Sequence, residues 1–353
     1  MDQYGILKLL HEVRHPGRGD RDIVELGMVN DIRIDGDNVT ITLAFPGRKD
    51  PLAGYLEGSV RAAIYRHLPE GVNVEVKTVV KEKAAAKNQE LGTEEIEKVA
   101  HIIGIASGKG GVGKSTVAVN LAVALARMGY RVGLADADVY GPSVPTMTGT
   151  VEALPGAVEE EGKSVILPIE KFGVKWMSIG YFAQKGQALI WRGPMASSAL
   201  KQLILQVRWG ELDFLLIDMP PGTGDIHISL VNDIPMEGAV VVTTPQEVAL
   251  ADVAKAIDMF RNEKVDKKVF GIVENMAWFT PEEYPDHRYY LFGKDGGLRL
   301  AGQLGLPLLG QRPIVQGIRE SGDSGEPAAL STRPDALAFL DLAGKLASAV
   351  NER

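Results

Sequence analysis

A glycine-rich segment carries the most distinctive chemistry of this sequence. Residues 108–116 read Gly-Lys-Gly-Gly-Val-Gly-Lys-Ser-Thr and match the phosphate-loop pattern G-x-x-x-x-G-K-[S/T] at every required position. Glycines let consecutive backbone N–H groups turn towards phosphate oxygens, while Lys114 can reach the β- and γ-phosphates and the Ser115 hydroxyl can bind Mg²⁺. The sequence therefore predicts a site for ATP and Mg²⁺. The residues predicted to hold the nucleotide phosphates are Gly108, Lys109, Gly110, Gly111, Val112, Gly113, Lys114, Ser115 and Thr116.

Carboxylates follow two of the apolar runs farther along the chain. Asp136 and Asp138 come after residues 131–135, and Asp218 ends the run 214–217. Carboxylates at the carboxyl ends of strands lie where α/β sheets bind ligands. One carboxylate there can hold Mg²⁺ through water, a role we predict for Asp218, and another can orient an attacking water. Simple capping of a strand-end turn is the alternative for the first two.

The elements that must position these residues alternate regularly. An apolar run at 101–106 predicts a buried strand before the glycine loop, and residues 117–126 predict a helix packed on both sides after it. From residue 99 onward strands and helices alternate, which is typical of a mostly parallel sheet covered by helices on both faces. The expected fold class is α/β. The flanking strand and helix also favour a phosphate loop over the alternative, a glycine-rich turn without a ligand.

The front of the chain predicts a separate small α/β domain at residues 1–80. Asp35 and Gly36 lie between two alternating runs, which indicates a hairpin. A helix is predicted over 51–68, with Leu52, Tyr55, Leu56, Val60, Ala63 and Ile64 on its buried face. Residues 81–98 are charged and lack a strand pattern, so we expect a linker before the ATPase domain at 99–353.

Composition limits the classes of function. The chain has 353 residues, a formal net charge of −8 and no cysteine. Its pI of about 5.4 argues against nucleic acid or an anionic membrane as the main partner. The N-terminus lacks the basic and apolar segments of a signal peptide, which predicts a cytoplasmic protein. Without cysteine, the chain can form neither disulfides nor thiolate metal sites.

Lys109 adds a more specific resemblance. The sequence K-G-G-V-G-K-S-T at 109–116 resembles the deviant Walker A loop of the MinD, ParA, ArsA and nitrogenase iron-protein class. In that class the first lysine reaches across a dimer to the nucleotide of the partner. The resemblance thus implies a homodimer in which Lys109 acts in catalysis together with Lys114 and Asp138. A solvated loop lysine is the alternative.

Other motifs resemble the Mrp/ApbC family of iron–sulfur cluster carriers. They are D-x-D-x-x-G-P-S at 136–143, R-G-P-M at 192–195 and, in the front domain, the run 22–27 with the hairpin after it. The resemblance implies an ATPase that assists iron–sulfur cluster assembly or transfer, with scaffold or apo-protein clients. By the same resemblance Asp138 orients the attacking water and Asp136 lies close to the Mg²⁺.

The resemblance also implies contacts with the nucleotide base. Asn275 follows the apolar run 269–273, and its amide can pair a donor and an acceptor with an adenine edge. In the family this asparagine reads the base, and the turn that contains Arg312 and Pro313 lines it. For Asn275, a turn residue without ligand is the alternative.

One part of the family pattern fails. Family members usually carry C-x-x-C shortly after the Glu-Asn-Met at 274–276, and two subunits together hold a [4Fe–4S] cluster there. This chain has aromatic and charged residues at 277–293, and a solvated acidic loop around His287 is expected over a metal site. The alternatives are therefore a scaffold or regulatory ATPase without its own cluster, which the absence of cysteine supports, and a MinD/ParA-like positioning ATPase. The acidic charge and the front domain disfavour the latter.

Overall fold

A computed structural model gives the fold, and the chain divides into two compact units, Met1–Glu90 and Leu91–Arg353. The structure describes residues 3–15, 21–36, 38–45, 52–67, 72–80, 96–160, 163–182, 193–263, 265–281, 283–284 and 286–351. Most of the expected linker lies outside these residues. Within them, no helix combines the length and the apolarity needed to cross a bilayer.

In its described residues the first unit is a small three-stranded sheet with two helices. Its elements are α1 (Gln3–Leu10), β1 (Val29–Asp35), β2 (Asn38–Phe45), α2 (Ala53–Tyr65) and β3 (Asn73–Val80). β1 and β2 pair antiparallel across the predicted hairpin, and β2 and β3 pair parallel with α2 as the crossover. The buried face of α2 is formed by Leu56, Val60, Ala63 and Ile64.

The prediction that Tyr55 lies on that buried face is wrong. Its side chain is 57% exposed, whereas Leu56 is fully buried. Successive helical residues are separated by about 100°, so a stripe centred on positions 56, 60, 63 and 64 turns position 55 towards solvent.

The second unit begins with the predicted strand, glycine loop and helix. Its elements in chain order are β4 (Val99–Ser107), α3 (Lys114–Arg127), β5 (Val132–Asp136), α4 (Val144–Met147), β6 (Gly156–Glu160), β7 (Lys163–Leu167), β8 (Ile169–Lys171), β9 (Val174–Ser178), α5 (Gly193–Leu205), β10 (Leu212–Asp218), α6 (Asp225–Asp233), β11 (Gly238–Thr243), α7 (Glu247–Arg261), β12 (Lys268–Glu274), α8 (Gly296–Leu304), β13 (Leu308–Gln311), α9 (Gln316–Ser324) and α10 (Pro334–Asn351).

In the described residues of this unit the main sheet has eight strands in the order β13-β12-β11-β4-β10-β5-β9-β8. All neighbouring strands pair parallel except β8, which is antiparallel to β9 at the edge. The predicted mostly parallel sheet is confirmed. The sequence did not predict the β6–β7 hairpin or the β8 edge strand, because that region lacks regular alternation.

Helices cover both faces of this sheet, as predicted. On β10 the alternation of side chains sends Leu215 and Ile217 to one face and Phe214 and Leu216 to the other. The first face is covered by α5, α6, α7 and α8, and the second by α3 and α10. Strands that are buried on both faces read as continuous apolar runs, which explains the pattern found at 214–217.

Candidate functional site

The glycine loop joins the end of β4 to the start of α3. Gly111 and Gly113 both have φ of +81°, a left-handed conformation that glycine adopts without strain. Gly108 is required for another reason, because a Cβ there would lie 2.4 Å from the carbonyl carbon of Asp252 in α7. The loop thus presents its backbone N–H groups at the N-terminus of α3, where the helix dipole favours an anion.

Lys114 brings the predicted acids together. Its Nζ lies 2.6 Å from Oδ1 of Asp218 and 3.8 Å from Oδ2 of Asp138. The same ammonium donates to the Ser115 hydroxyl at 3.3 Å. Lys114 is 6% exposed and Asp218 is fully buried, so these charges meet in a site largely shielded from water. Three sequence-predicted residues therefore surround one lysine at the carboxyl edge of the sheet.

The donor set around Asp218 fits a magnesium ion. Among the described residues its Oδ2 is buried without a hydrogen-bond partner, which leaves a carboxylate oxygen available as a ligand. The Ser115 hydroxyl lies in the same group of side chains, and Mg²⁺ prefers oxygen ligands. Burial raises the pKa of Asp218, whereas Lys114 acts to lower it. A divalent cation at this site would also lower the pKa of Asp218.

Asp136 lies beside Asp218, its partner in the register of β5 and β10, and its carboxylate is hydrogen-bonded within the protein. Its Oδ2 accepts hydrogen bonds from the Ser178 hydroxyl at 2.9 Å and from the backbone N–H of Val144 at 3.2 Å. Its Oδ1 accepts the N–H of Asp138 at 3.2 Å. Burial raises the pKa of Asp136, and the charge of Asp218 adds to that rise. With both oxygens engaged, Asp136 holds the loop after β5, and this geometry does not favour direct metal ligation.

Two adjoining cavities open at the loop. The smaller, of about 200 Å³, is lined by the glycine loop together with Asp138 and Pro221. The larger, of about 750 Å³, shares Gly113 and Thr116 with it and extends to α9 and the turn after β13. Their sizes and linings match a phosphate compartment beside a mostly apolar nucleoside compartment.

Two of the three residues predicted to contact the base line this cavity, and the third, Arg312, does not. Asn275 and Pro313 line the larger cavity, and Asn275 Nδ2 donates to the Val112 carbonyl at 2.9 Å. Arg312 is 6% exposed and donates to the carbonyls of Gln311 and Ala338. Because its guanidinium is hydrogen-bonded to the backbone of α10, the structure does not favour the predicted contact of Arg312 with the base.

Lys109 differs from Lys114 in having no partner for its ammonium among the residues that the structure describes. The Ser107 hydroxyl donates to its carbonyl at 3.0 Å and shapes the loop. Within the part of the chain that the structure describes, its ammonium makes no hydrogen bond or ion pair, and its side chain is half-buried. An unpaired lysine beside a phosphate compartment is available for an external anionic group.

Two residues near the site were not identified from the sequence. Asn120 in α3 is buried, donates to the Thr116 carbonyl at 2.8 Å and accepts the N–H of Ala329 at 2.8 Å. A polar residue inside the apolar run 117–126 is the signal that could have revealed it. The position of His227 in the sequence favours packing or a surface location over a catalytic role, and the structure places this residue of α6 in the buried interior.

The loop after β12 is held together by backbone pairing within itself. Phe279 and Tyr289 exchange backbone hydrogen bonds of 2.9 and 2.8 Å, and the ring of His287 packs against Tyr284. Among the described residues no group of three or more His, Cys, Asp or Glu side chains could hold a metal ion. Glu282, one of the predicted acidic neighbours of His287, lies outside the described residues.

Comparisons with known proteins agree with these features. A family profile described as ParA, NUBPL iron-transfer P-loop NTPase, matches residues 98–347. A second profile, described as iron-sulfur cluster assembly protein, matches residues 5–77.

Individual relatives cover most of the chain. An iron-sulfur cluster carrier protein of Synechocystis is 43% identical over 329 residues, which are 92% of this chain and 91% of that protein. An iron-sulfur protein of Arabidopsis thaliana, described as required for NADH dehydrogenase and mitochondrial, is 46% identical over 257 residues, 72% of this chain and 80% of that protein. Among solved structures, a nucleotide-binding protein of Archaeoglobus fulgidus in complex with ADP is 37% identical with a TM-score of 0.60, covering 71% of this chain and 96% of that chain. The chain therefore belongs to the NUBPL-type family of iron-transfer P-loop NTPases, and the predicted resemblance to Mrp/ApbC proteins is confirmed.

Proposed function

We propose that this protein binds and hydrolyses ATP to assist the assembly of iron–sulfur clusters or their transfer to apo-proteins. The observation that carries the proposal is the convergence of Lys114, Asp138 and Asp218 beside a phosphate-sized cavity. That cavity shares its wall with a larger, mostly apolar one that matches a nucleoside. Family membership adds the link to iron transfer.

The residues divide the chemistry among them. The loop N–H groups and the N-terminus of α3 bind the phosphates, and Lys114 exchanges Asp218 for the β- and γ-phosphates. Asp138 accepts a hydrogen bond from a water and orients its oxygen towards the γ-phosphorus. As that oxygen bonds to phosphorus, the bond to the β–γ bridging oxygen breaks and ADP leaves with the electron pair. Ser115 would bind Mg²⁺ directly and Asp218 would bind it through water. The ion would neutralise the charge on the phosphates.

The two loops at the γ-phosphate are connected to each other. The N–H of Ala137 donates to the Asp218 carbonyl at 2.9 Å, and the N–H of Gly222 donates to the Ser107 carbonyl at 3.0 Å. When the γ-phosphate leaves, segments 138–144 and 219–225 would therefore rearrange together. Such an order change at switch segments is a general way to regulate partner binding.

The cluster itself does not fit the side chains of this chain as a resident group. Iron–sulfur clusters are held chiefly by cysteine thiolates, and the sequence contains none. We therefore treat the cluster as cargo whose sulfur ligands come from a cysteine-bearing partner or a small thiol. A scaffold or regulatory ATPase that docks partners without holding a cluster is the second candidate, and the same absence of cysteine favours it.

Replacing Lys114 tests the nucleotide chemistry. Lys114→Ala should abolish ATP turnover, because the backbone loop cannot replace an ammonium at the β- and γ-phosphates. Phosphate release by the purified variant is the measurement, and Lys345→Ala, an exposed lysine paired with Asp341 in α10, is the matched control. Turnover by Lys114→Ala at the parent rate would show that this loop is not the active site.

A further inference from the structure

His227 is a buried imidazole whose nitrogens have no hydrogen-bond partner among the described residues. It is the third residue of α6, and its side chain is 1% exposed. Among the described residues neither Nδ1 nor Nε2 has a partner of acceptable geometry. Burial lowers the pKa of His227 to about 4, so the ring is neutral near pH 7 and carries one donor and one acceptor nitrogen.

Packing alone does not explain an imidazole at this position. The ring contacts Phe260 of α7 edge to face, with ring centroids 5.8 Å apart. An apolar ring would make the same contact without burying two polar atoms, and each unpaired buried polar group is unfavourable. A native protein that keeps such a group has a use for it in another state or with another partner.

The polar neighbour of the ring belongs to the segment that follows Asp218. The Pro220 carbonyl acts to raise the pKa of His227 against the effect of burial, so it lies within electrostatic reach of the ring. Among the described residues, however, no hydrogen bond of acceptable geometry joins the ring to this carbonyl. Gly222, two residues farther, has φ of +88°, and a glycine at this point permits the segment to change its path.

We infer that His227 is a positioning residue for ATP hydrolysis, whose ring N–H binds the Pro220 carbonyl when segment 219–225 takes its hydrolysing arrangement. The inference rests on the proposed ATPase activity. The hydrogen bond would fix the backbone directly after Asp218 and connect the γ-phosphate to α6. His227 touches no phosphate in this scheme and acts through the segment.

The test compares an apolar and a polar replacement. His227→Phe keeps the ring contact with Phe260 but removes both nitrogens, so its melting temperature without nucleotide should rise by about 2–4 °C. Its kcat for ATP should fall about tenfold, the effect of one lost hydrogen bond, while KM stays within about twofold. His227→Gln, which retains a donor, should recover most of the kcat. If the phenylalanine variant does not fold, His227→Met supplies the apolar comparison.

Controls separate this inference from the proposed function. His101→Phe replaces a ring that lies 5.5 Å from Phe214 but away from segment 219–225, and its kcat should equal that of the parent. A parental kcat in His227→Phe, or an equal loss in the phenylalanine and glutamine variants, would overturn the positioning role. An inactive parent protein would overturn the proposed function and this inference with it.

Discussion

A single methyl group at Gly108 would collide with the backbone of α7. A Cβ there would lie 2.4 Å from the carbonyl carbon of Asp252 and 2.5 Å from the N of Val253, whereas a Cβ at Gly110 would meet nothing within 4 Å. We expect Gly108→Ala to lower the free energy of unfolding by about 1–3 kcal/mol, because a backbone neighbour cannot move aside as a side chain does. Gly110→Ala should leave it unchanged or raise it by up to about 1 kcal/mol.

The four tryptophans of the chain all follow residue 98, so their fluorescence reports on the second unit. Urea unfolding of both glycine variants without nucleotide, followed by this signal, gives the comparison. Equal stability of the two variants would show that the loop and α7 are not in close contact.

At the residue scale, the sequence pointed to residues that the structure brings together where each belongs to a linear pattern. Lys114, Ser115 and Asp218 are examples, because the phosphate loop is a linear motif and the acid ends a buried strand. The hydrogen bond between Asp136 and Ser178 was not predictable, because it joins residues 42 positions apart. The same holds for Arg312, whose partner Ala338 lies in a helix that packs on the sheet from a later part of the chain.

At the scale of elements, α10 shows how a sequence pattern can be nearly right. The pattern of residues 334–350 predicts a helix with an apolar stripe at Leu337, Leu340, Ala343 and Leu346, but Leu337 is 54% exposed. Residues three apart do not stay on one face of a helix that has 3.6 residues per turn. Leu337, the first residue of the stripe, therefore lies outside the buried face. The observed buried face consists of Ala336, Phe339, Leu342, Ala343, Leu346, Ala347 and Val350.

One carboxylate holds the turn at residues 22–25, which lies between α1 and β1 of the first unit. Asp22 accepts the N–H groups of Val24 and Glu25 at 2.9 and 2.8 Å and contacts Nδ1 of His11 at 2.9 Å. Burial opposes ionisation of Asp22, but these hydrogen bonds outweigh it and lower its pKa below the unfolded value of 3.8. The native state therefore binds this proton less tightly than the unfolded chain.

Asp22 should thus stabilise the first unit fully above pH 3.8 and lose this contribution as the pH falls through its lower native pKa. Asp22→Asn removes the charge, so its stability deficit should be largest near neutral pH and should shrink in acid. Hydrogen exchange of the β1–β3 amides at several pH values measures it, with Asp31→Asn in an exposed ion pair as control. A deficit that is independent of pH would contradict the linkage.

At the scale of the whole molecule, the role of Lys109 can be tested through assembly, because the resemblance to deviant Walker A proteins implies a homodimer. If the Lys109 ammonium reaches the nucleotide of a second copy, ATP should favour dimers, and Lys109→Ala should bind nucleotide but lose turnover. Light scattering with a non-hydrolysable ATP analogue measures the dimer, and phosphate release measures the turnover. Lys345→Ala should match the parent in both assays. A strict monomer at all concentrations would exclude this role for Lys109.

The handling of the iron–sulfur cluster is also a property of the whole molecule, because family membership and side-chain chemistry differ there. The relatives are iron-sulfur cluster carrier proteins, yet this chain offers no thiolate to a cluster. Imidazole and carboxylate groups bind iron, but a cluster that lacks its usual sulfur ligands should be held weakly.

We therefore expect the isolated protein to lose the cluster chromophore on desalting after anaerobic reconstitution without added thiol. Addition of a cysteine-bearing partner or a small thiol should restore it, because the missing sulfur ligands then come from outside the chain. Iron content and visible absorbance before and after desalting are the measurements, with His287→Ala as the variant of the loop after β12. A stoichiometric cluster that survives desalting in the parent and disappears in His287→Ala would show that nitrogen and oxygen ligands of this loop hold it. That result would mean that the cluster is bound permanently by ligands of this chain and is not transient cargo whose ligands come from a partner.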